Sequence, residues 1–176
     1  MKKIFLTTLI FSVVSCSVPE VPIDSLVERN GIVYQVNSDK PYSGKAIEYY
    51  DNGQAEYVET YKKGRIVQTE FYSSNGALES KGFCKDDEQT GVEEYYENGQ
   101  LAYKASFDEN GTGFEEEYYE NGQLDYKASF DENDTGFEEQ YYENGQLAYK
   151  ATYKNGELVN EEEYNENGEK IDASNY

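Results

Sequence analysis

Histidine is absent from the chain, and so is tryptophan. Without histidine there is no Ser-His-Asp or Cys-His relay, and the commonest side-chain metal ligand goes with it. Of the 2 cysteines, Cys16 falls in an N-terminal leader described below. Only Cys84 then remains, so an intrachain disulfide is excluded. Positive charge is scarce: 15 Lys and Arg stand against 36 Asp and Glu, a formal net charge of −21. So acidic a body repels nucleic acid and anionic lipid within a Debye length, and neither is expected as a partner. No long stretch after the leader has a 3.6-residue apolar period, so helix is not expected either.

The leader is the one apolar run. Lys2-Lys3 precede the apolar stretch Ile4 to Phe11, and Val13-Val14-Ser15-Cys16 closes it. A charged start, a short apolar region and a small residue before a cut make a secretory signal, too short to span a membrane as a helix. A cysteine at the cut makes residues 1–16 resemble a bacterial lipoprotein signal, in which Cys16 carries the lipid. Its removal with Lys2 and Lys3 takes the formal net charge from −21 to −23. Residues 17–27, with Pro19 and Pro22 and no periodicity, read as a flexible spacer. Residues 28–176 show no break in composition and read as one domain.

What fills that domain is one stretch, Tyr95-Tyr96-Glu97-Asn98-Gly99-Gln100-Leu101, which returns at Tyr118 to Leu124 and at Tyr141 to Leu147. Worn copies surround Gly53, Gly76 and Gly168, and the glycines 53, 76, 99, 122, 145 and 168 keep a step of 23 residues. Asn30-Gly31 reads as a worn first copy. A fixed period of this size marks a repeat array. Asn-Gly between alternating runs is a hairpin signal, and a type I′ turn needs positive φ at both residues. With Asn121-Gly122 as that turn, Tyr119 faces Leu124, Glu117 faces Tyr126 and Glu116 faces Lys127. The same rule sets Glu93 opposite Lys104 and Glu139 opposite Lys150. Tyr126, Ala128 and Phe130 then share a face with Leu124, as do their equivalents in the neighbouring units. The fold expected is all-β, an elongated antiparallel array of six to seven hairpins whose aromatic columns line one side of a single sheet.

The unit G-x₄-YYENGQL-x-Y-x₃-F resembles the variant MORN repeat of bacterial proteins, some of the YwqK type and described as antitoxins. Asp39-Lys40-Pro41-Tyr42-Ser43-Gly44-Lys45, followed by Glu48-Tyr49-Tyr50-Asp51-Asn52-Gly53, is similar to the family's entry into its first full repeat. The likeness runs from about Gly31 to Gly168. It implies a β-hairpin array serving as a contact surface. A lipoprotein signal takes the chain out of the cytoplasm, where an antitoxin meets its toxin, so an antitoxin or immunity protein stands as an alternative. A glycan-binding wall module is another, although choline- and glucan-binding repeats of nearly this period rely on the tryptophan missing here.

The acidic clusters Glu115-Glu116-Glu117, Glu138-Glu139 and Glu161-Glu162-Glu163 recur at the repeat period, which suits a solvated face better than one catalytic pair of carboxylates. Cys84 shares a column with Phe107 and Phe130 and reads as a small apolar filler. Asp108, Asn110 and Thr112, and Asp131, Asn133 and Thr135, match the opening of a calcium loop. The bidentate glutamate required at the twelfth position is replaced by Tyr119 and Tyr142, so these are weak calcium candidates. No cofactor or catalytic residue is expected. The expected function is a non-enzymatic, lipid-anchored, monomeric surface for another protein at the cell envelope, on the outer membrane in a Gram-negative cell and open to surface display. The second tyrosines Tyr96, Tyr119 and Tyr142 are the candidate contacts.

Overall fold

The computed structural model describes residues 18–86 and 88–171. The expected signal and Cys16, the residue expected to carry lipid, lie outside the described residues, as do 172–176. Among the described residues fourteen strands follow one another: β1 (Glu20–Pro22), β2 (Leu26–Arg29), β3 (Ile32–Gln35), β4 (Gly44–Tyr49), β5 (Ala55–Lys62), β6 (Arg65–Tyr72), β7 (Leu78–Lys85), β8 (Glu88–Tyr95), β9 (Leu101–Phe107), β10 (Gly113–Tyr118), β11 (Leu124–Phe130), β12 (Gly136–Tyr141), β13 (Leu147–Lys154) and β14 (Glu157–Glu163). Strands β4 to β14 lie side by side in chain order as one antiparallel sheet, with β1 added in parallel outside β4. The single-sheet hairpin array expected from the period is therefore the architecture.

The N-terminal end differs from expectation twice. Residues 20–27 are not a free spacer but form β1, a 3₁₀ turn (Ile23–Ser25) and the start of β2. The reason is apolar: Val21, Ile23 and Leu26 pack with Val33 and Ile66 on the buried Tyr42, Ala46 and Tyr61. Pro19 and Pro22 suit an outermost strand, where a missing N–H costs no ladder bond. The carbonyl of Pro19 accepts from the Lys45 N–H at 2.8 Å and from the Tyr42 hydroxyl at 3.2 Å. Asn30-Gly31 is not a first repeat either, since it closes the separate hairpin β2–β3.

The repeat turn also differs. Gly122 has φ 83, but Asn121 is not left-handed, so the turn is not type I′. The Gly122 N–H reaches the Tyr119 carbonyl at 2.8 Å, and the Tyr119 N–H reaches the Gln123 carbonyl at 2.9 Å. That is a longer loop ending in a left-handed glycine. Leu124 consequently faces Tyr118 rather than Tyr119, and a bulge beside Glu117 restores the expected register from Glu117–Tyr126 onward. Asn121 keeps its ordinary backbone because its side chain serves twice. Its Oδ1 accepts the Gln123 N–H at 2.8 Å, and its amide donates to the Glu143 carbonyl of the next repeat at 3.2 Å. Positive φ at both residues occurs instead at Asn30-Gly31, Lys63-Gly64 and Asn155-Gly156.

Candidate functional site

Among the described residues no second layer of secondary structure lies over β8–β14, so the sheet presents two faces. Residues alternate between them along each strand, and the register places each in a row across the sheet. One row runs Glu70, Lys81, Glu93, Lys104, Glu116, Lys127, Glu139, Lys150, Glu162, opposite charges alternating over nine strands. Its ion pairs include Lys104–Glu116 at 2.8 Å, Lys127–Glu139 at 2.7 Å and Lys150–Glu139 at 3.4 Å. The pairings predicted within hairpins are thus in register, yet the two shortest of these contacts bind one hairpin to the next. Burial works to raise the carboxyls of Glu116 and Glu139, but hydrogen bonds from Lys104 and Tyr118, and from Lys127 and Tyr141, hold both below the ordinary carboxylate range. Aromatic rings flank the same lysines. The Lys127 ammonium lies 5.5 Å from the Phe137 ring centre and 5.9 Å from that of Tyr141, and Lys104 lies 5.5 Å from Phe114.

The opposite face is built differently. Its rows read Glu94, Tyr103, Glu117, Tyr126, Gln140, Tyr149, Glu163, and Val92, Ala105, Glu115, Ala128, Glu138, Ala151, Glu161. A third reads Phe107, Gly113, Phe130, Gly136, Tyr153. No lysine or arginine stands in any of them. The alanines are buried, the tyrosines half-buried, and Glu94, Glu117, Glu161 and Glu163 exposed. Phe130 and Tyr153, with ring centres 5.7 Å apart, stand on either side of Gly136. A Cβ at residue 136 would lie 1.9 Å from the Ser129 carbonyl oxygen. The columns Tyr103–Ala105–Phe107, Tyr126–Ala128–Phe130 and Tyr149–Ala151–Tyr153 share the predicted face, but acids from the intervening strands sit between them. Burial first, and then Glu115, Glu138 and Glu117, push the Tyr126 phenol up to about 12. Tyr103 and Tyr149 are also raised, mainly by burial and then by Glu115 and Glu161 respectively.

Tyr96, Tyr119 and Tyr142, the sequence candidates for partner contact, have an internal use. Their hydroxyls donate to the carbonyls of Tyr118, Tyr141 and Tyr164 at 2.5, 2.7 and 2.8 Å, each reaching the following repeat. Asn98, Asn121 and Asn144 run a parallel set of ties. Recurrence of Tyr and Asn at the repeat period was the sequence signal for both ladders. The residues on the acidic face, Tyr103, Tyr126 and Tyr149 among them, were legible only as an apolar stripe.

The calcium candidates sit in turns between hairpins. Asp108 Oδ1 accepts the Asn110 and Thr112 N–H groups at 2.9 and 3.0 Å, and Asp131 Oδ1 accepts those of Asn133 and Thr135 at the same distances. Each carboxylate therefore closes its own turn. Among the described residues no group of three or more acidic, cysteine or histidine side chains is placed to hold a metal. Cys84, half-buried on β7, pairs with Gln89 beside a bulge.

Four stretches, residues 42–63, 90–109, 112–132 and 135–155, match the family model of the MORN repeat variant. They coincide with the hairpins β4–β5, β8–β9, β10–β11 and β12–β13. The worn unit between the first two folds as hairpin β6–β7 in the same sheet. No curated protein matches the chain. A solved structure, a point mutant of S. aureus TarM in complex with Fondaparinux, alpha-GlcNAc-glycerol and UDP, aligns at 12% identity over 77% of this chain. The alignment spans 21% of that chain with a TM-score of 0.26, and carries no argument. The matched repeats and their hairpins together make this chain a repeat protein of the MORN variant type.

Proposed function

We propose that the protein is a non-enzymatic contact module, held at the bacterial cell envelope by lipid on Cys16, whose sheet binds another protein through the Tyr103–Tyr126–Tyr149 face. The observation that carries this reading is the uncovered row of half-buried tyrosines on that face, with Phe107 42% exposed beside it. Tyrosine gives a large rigid area and a polar tip at little conformational cost, which suits a protein interface better than a catalytic site. The opposite face has its lysines and glutamates engaged with one another, so it offers less. Anchoring rests on the order of charge, apolar run and cysteine in residues 1–16.

Two experiments test this. Cells expressing full-length chain with Tyr103, Tyr126 and Tyr149 changed to serine are compared, by chemical crosslinking, with cells carrying Phe114→Ser and Phe137→Ser on the other face. Loss of one defined crosslinked band in the first set alone, with circular dichroism unchanged, supports the reading. Equal loss in both sets overturns it. For the anchor, Cys16→Ser is expected to leave the membrane fraction, and protease shaving of intact cells, with a periplasmic control, separates surface display from a periplasmic position.

A further inference from the structure

We infer that the partner of this face is a basic polypeptide, whose lysine or arginine side chains enter the acid–aromatic cells that the chain leaves empty. The inference rests on the contact reading above and adds the chemistry of the partner. Its warrant lies in a comparison of the two faces. On one, each interior glutamate of the ladder is flanked by a lysine that also lies near an aromatic ring. Lys127 is 2.7 Å from Glu139 and 5.5 Å from the Phe137 ring centre, while Lys104 is 2.8 Å from Glu116 and 5.5 Å from that of Phe114. The fold thus displays what such a cell accepts, a cation held by carboxylate and ring together.

The other face repeats the cell without the cation. Glu117 stands between Tyr103 and Tyr126, with Glu115 two residues along the same strand; between Tyr126 and Tyr149 the matching residue is Gln140, and Glu138 is the acid of that cell. Tyr103 donates to Glu115 at 3.3 Å, and Glu138 accepts from Tyr153 at 2.6 Å and from Tyr126 at 3.5 Å, so the face supplies these acids with phenols but with no cation. Beyond Tyr149 follow Glu163 and Glu161. Among the described residues Glu94, Glu117 and Glu163 enter no ion pair. Equivalent cells lie two strands apart, roughly 9–10 Å, so a partner with several basic side chains engages more than one at once. Such a face also steers a cationic partner before contact. A free cation meets one cell at a time, whereas a chain of basic side chains meets several, and an acidic or neutral protein offers no cation at all.

The test uses the full chain and a short oligolysine, with oligoglutamate of equal length as control, followed by calorimetry at two salt concentrations. Oligolysine is expected to bind and to weaken with added salt, while oligoglutamate does not bind. Glu115→Gln, Glu117→Gln, Glu138→Gln and Glu161→Gln together are expected to weaken oligolysine roughly tenfold to hundredfold. The control removes as much charge from the turns, with Glu97→Gln, Glu120→Gln, Glu143→Gln and Glu166→Gln, and is expected to change it by less than about threefold. Equal weakening in both sets reduces the effect to net charge and overturns the inference, as does oligolysine that fails to bind the native chain. If the crosslinked band of the previous section is lost with the tyrosine changes but survives the glutamine changes on the face, the contact reading stands and the basic partner falls. Circular dichroism of both sets excludes unfolding as the cause.

Discussion

Changing Tyr119 to phenylalanine removes a single hydroxyl and tests whether the second tyrosines tie repeats together. The hydroxyl donates at 2.7 Å to the carbonyl of Tyr141, on the neighbouring hairpin. A net intramolecular hydrogen bond contributes about 0.5–1.5 kcal/mol, and a half-buried carbonyl regains part of that from water. We therefore expect Tyr119→Phe to cost about 1 kcal/mol, or roughly 2–4 °C in Tm for a domain of this size. The ring stays, so packing hardly changes. A paired control is Tyr126→Phe, whose hydroxyl only reaches Glu138 at 3.5 Å, with an expected cost under about 0.5 kcal/mol. Urea unfolding followed by circular dichroism measures both. Because each repeat touches only its neighbours, the loss is also expected locally, as faster amide exchange in β10 to β13 than in β4 to β6. Tyr119→Phe that unfolds like the native chain, with unchanged exchange, refutes the tie. Native stability combined with lost partner crosslinking would return Tyr119 to the role of a contact.

Glu139 meets Lys127 and Lys150 and accepts from Tyr141, so Glu139→Gln is expected to lower stability by about 1–2 kcal/mol at low salt and less at high salt, read from urea midpoints. Gly136→Ala, with its Cβ 1.9 Å from the Ser129 carbonyl oxygen, is expected to cost about 1–3 kcal/mol in the same assay, and a neutral result would mean that the start of β12 relaxes freely. Tyr95, Tyr119 and Tyr126 are each raised to about 12, burial being the largest cause in every case. Their contribution to stability is complete below the ordinary value of 10 and is lost as pH rises toward 12, so melting temperature is expected to fall across that window and spectral titration of the phenols to follow it. Calcium at micromolar concentration is expected to leave the melting temperature unchanged, because Asp108 and Asp131 already close their turns.

Much of the sheet was legible in the sequence because the period fixes register once the turn is placed. Glu116–Lys127 and Glu139–Lys150 pair as expected. The turn type was not legible, since an Asn-Gly pair permits two conformations. Here the amide of Asn121 reaches the Glu143 carbonyl, and that acceptor lies 22 residues away. Likewise the between-hairpin half of the charge ladder depends on which strand follows across the sheet, and pairing within a hairpin says nothing of it. Val21, Ile23 and Leu26 were misread as linker because an end cap is aperiodic by nature. Such a cap covers the first strand of an array that has no earlier repeat to pack on.

The acidic face has an energetic cost that the fold itself does not need. Glutamates repeated at two-strand intervals, with no cation among them, repel one another and weaken the array that displays them. The other face shows the alternative within the same chain: there alternating lysine and glutamate turn each contact between hairpins into an attraction. Had cohesion been the only demand, lysine at residues 103, 126 and 149 would have continued that pattern. Tyrosine stands there instead, leaving Glu94, Glu117 and Glu163 without a cation beside rings that also bind cations. On the reading proposed above, a bound basic partner restores the attraction that the free array lacks.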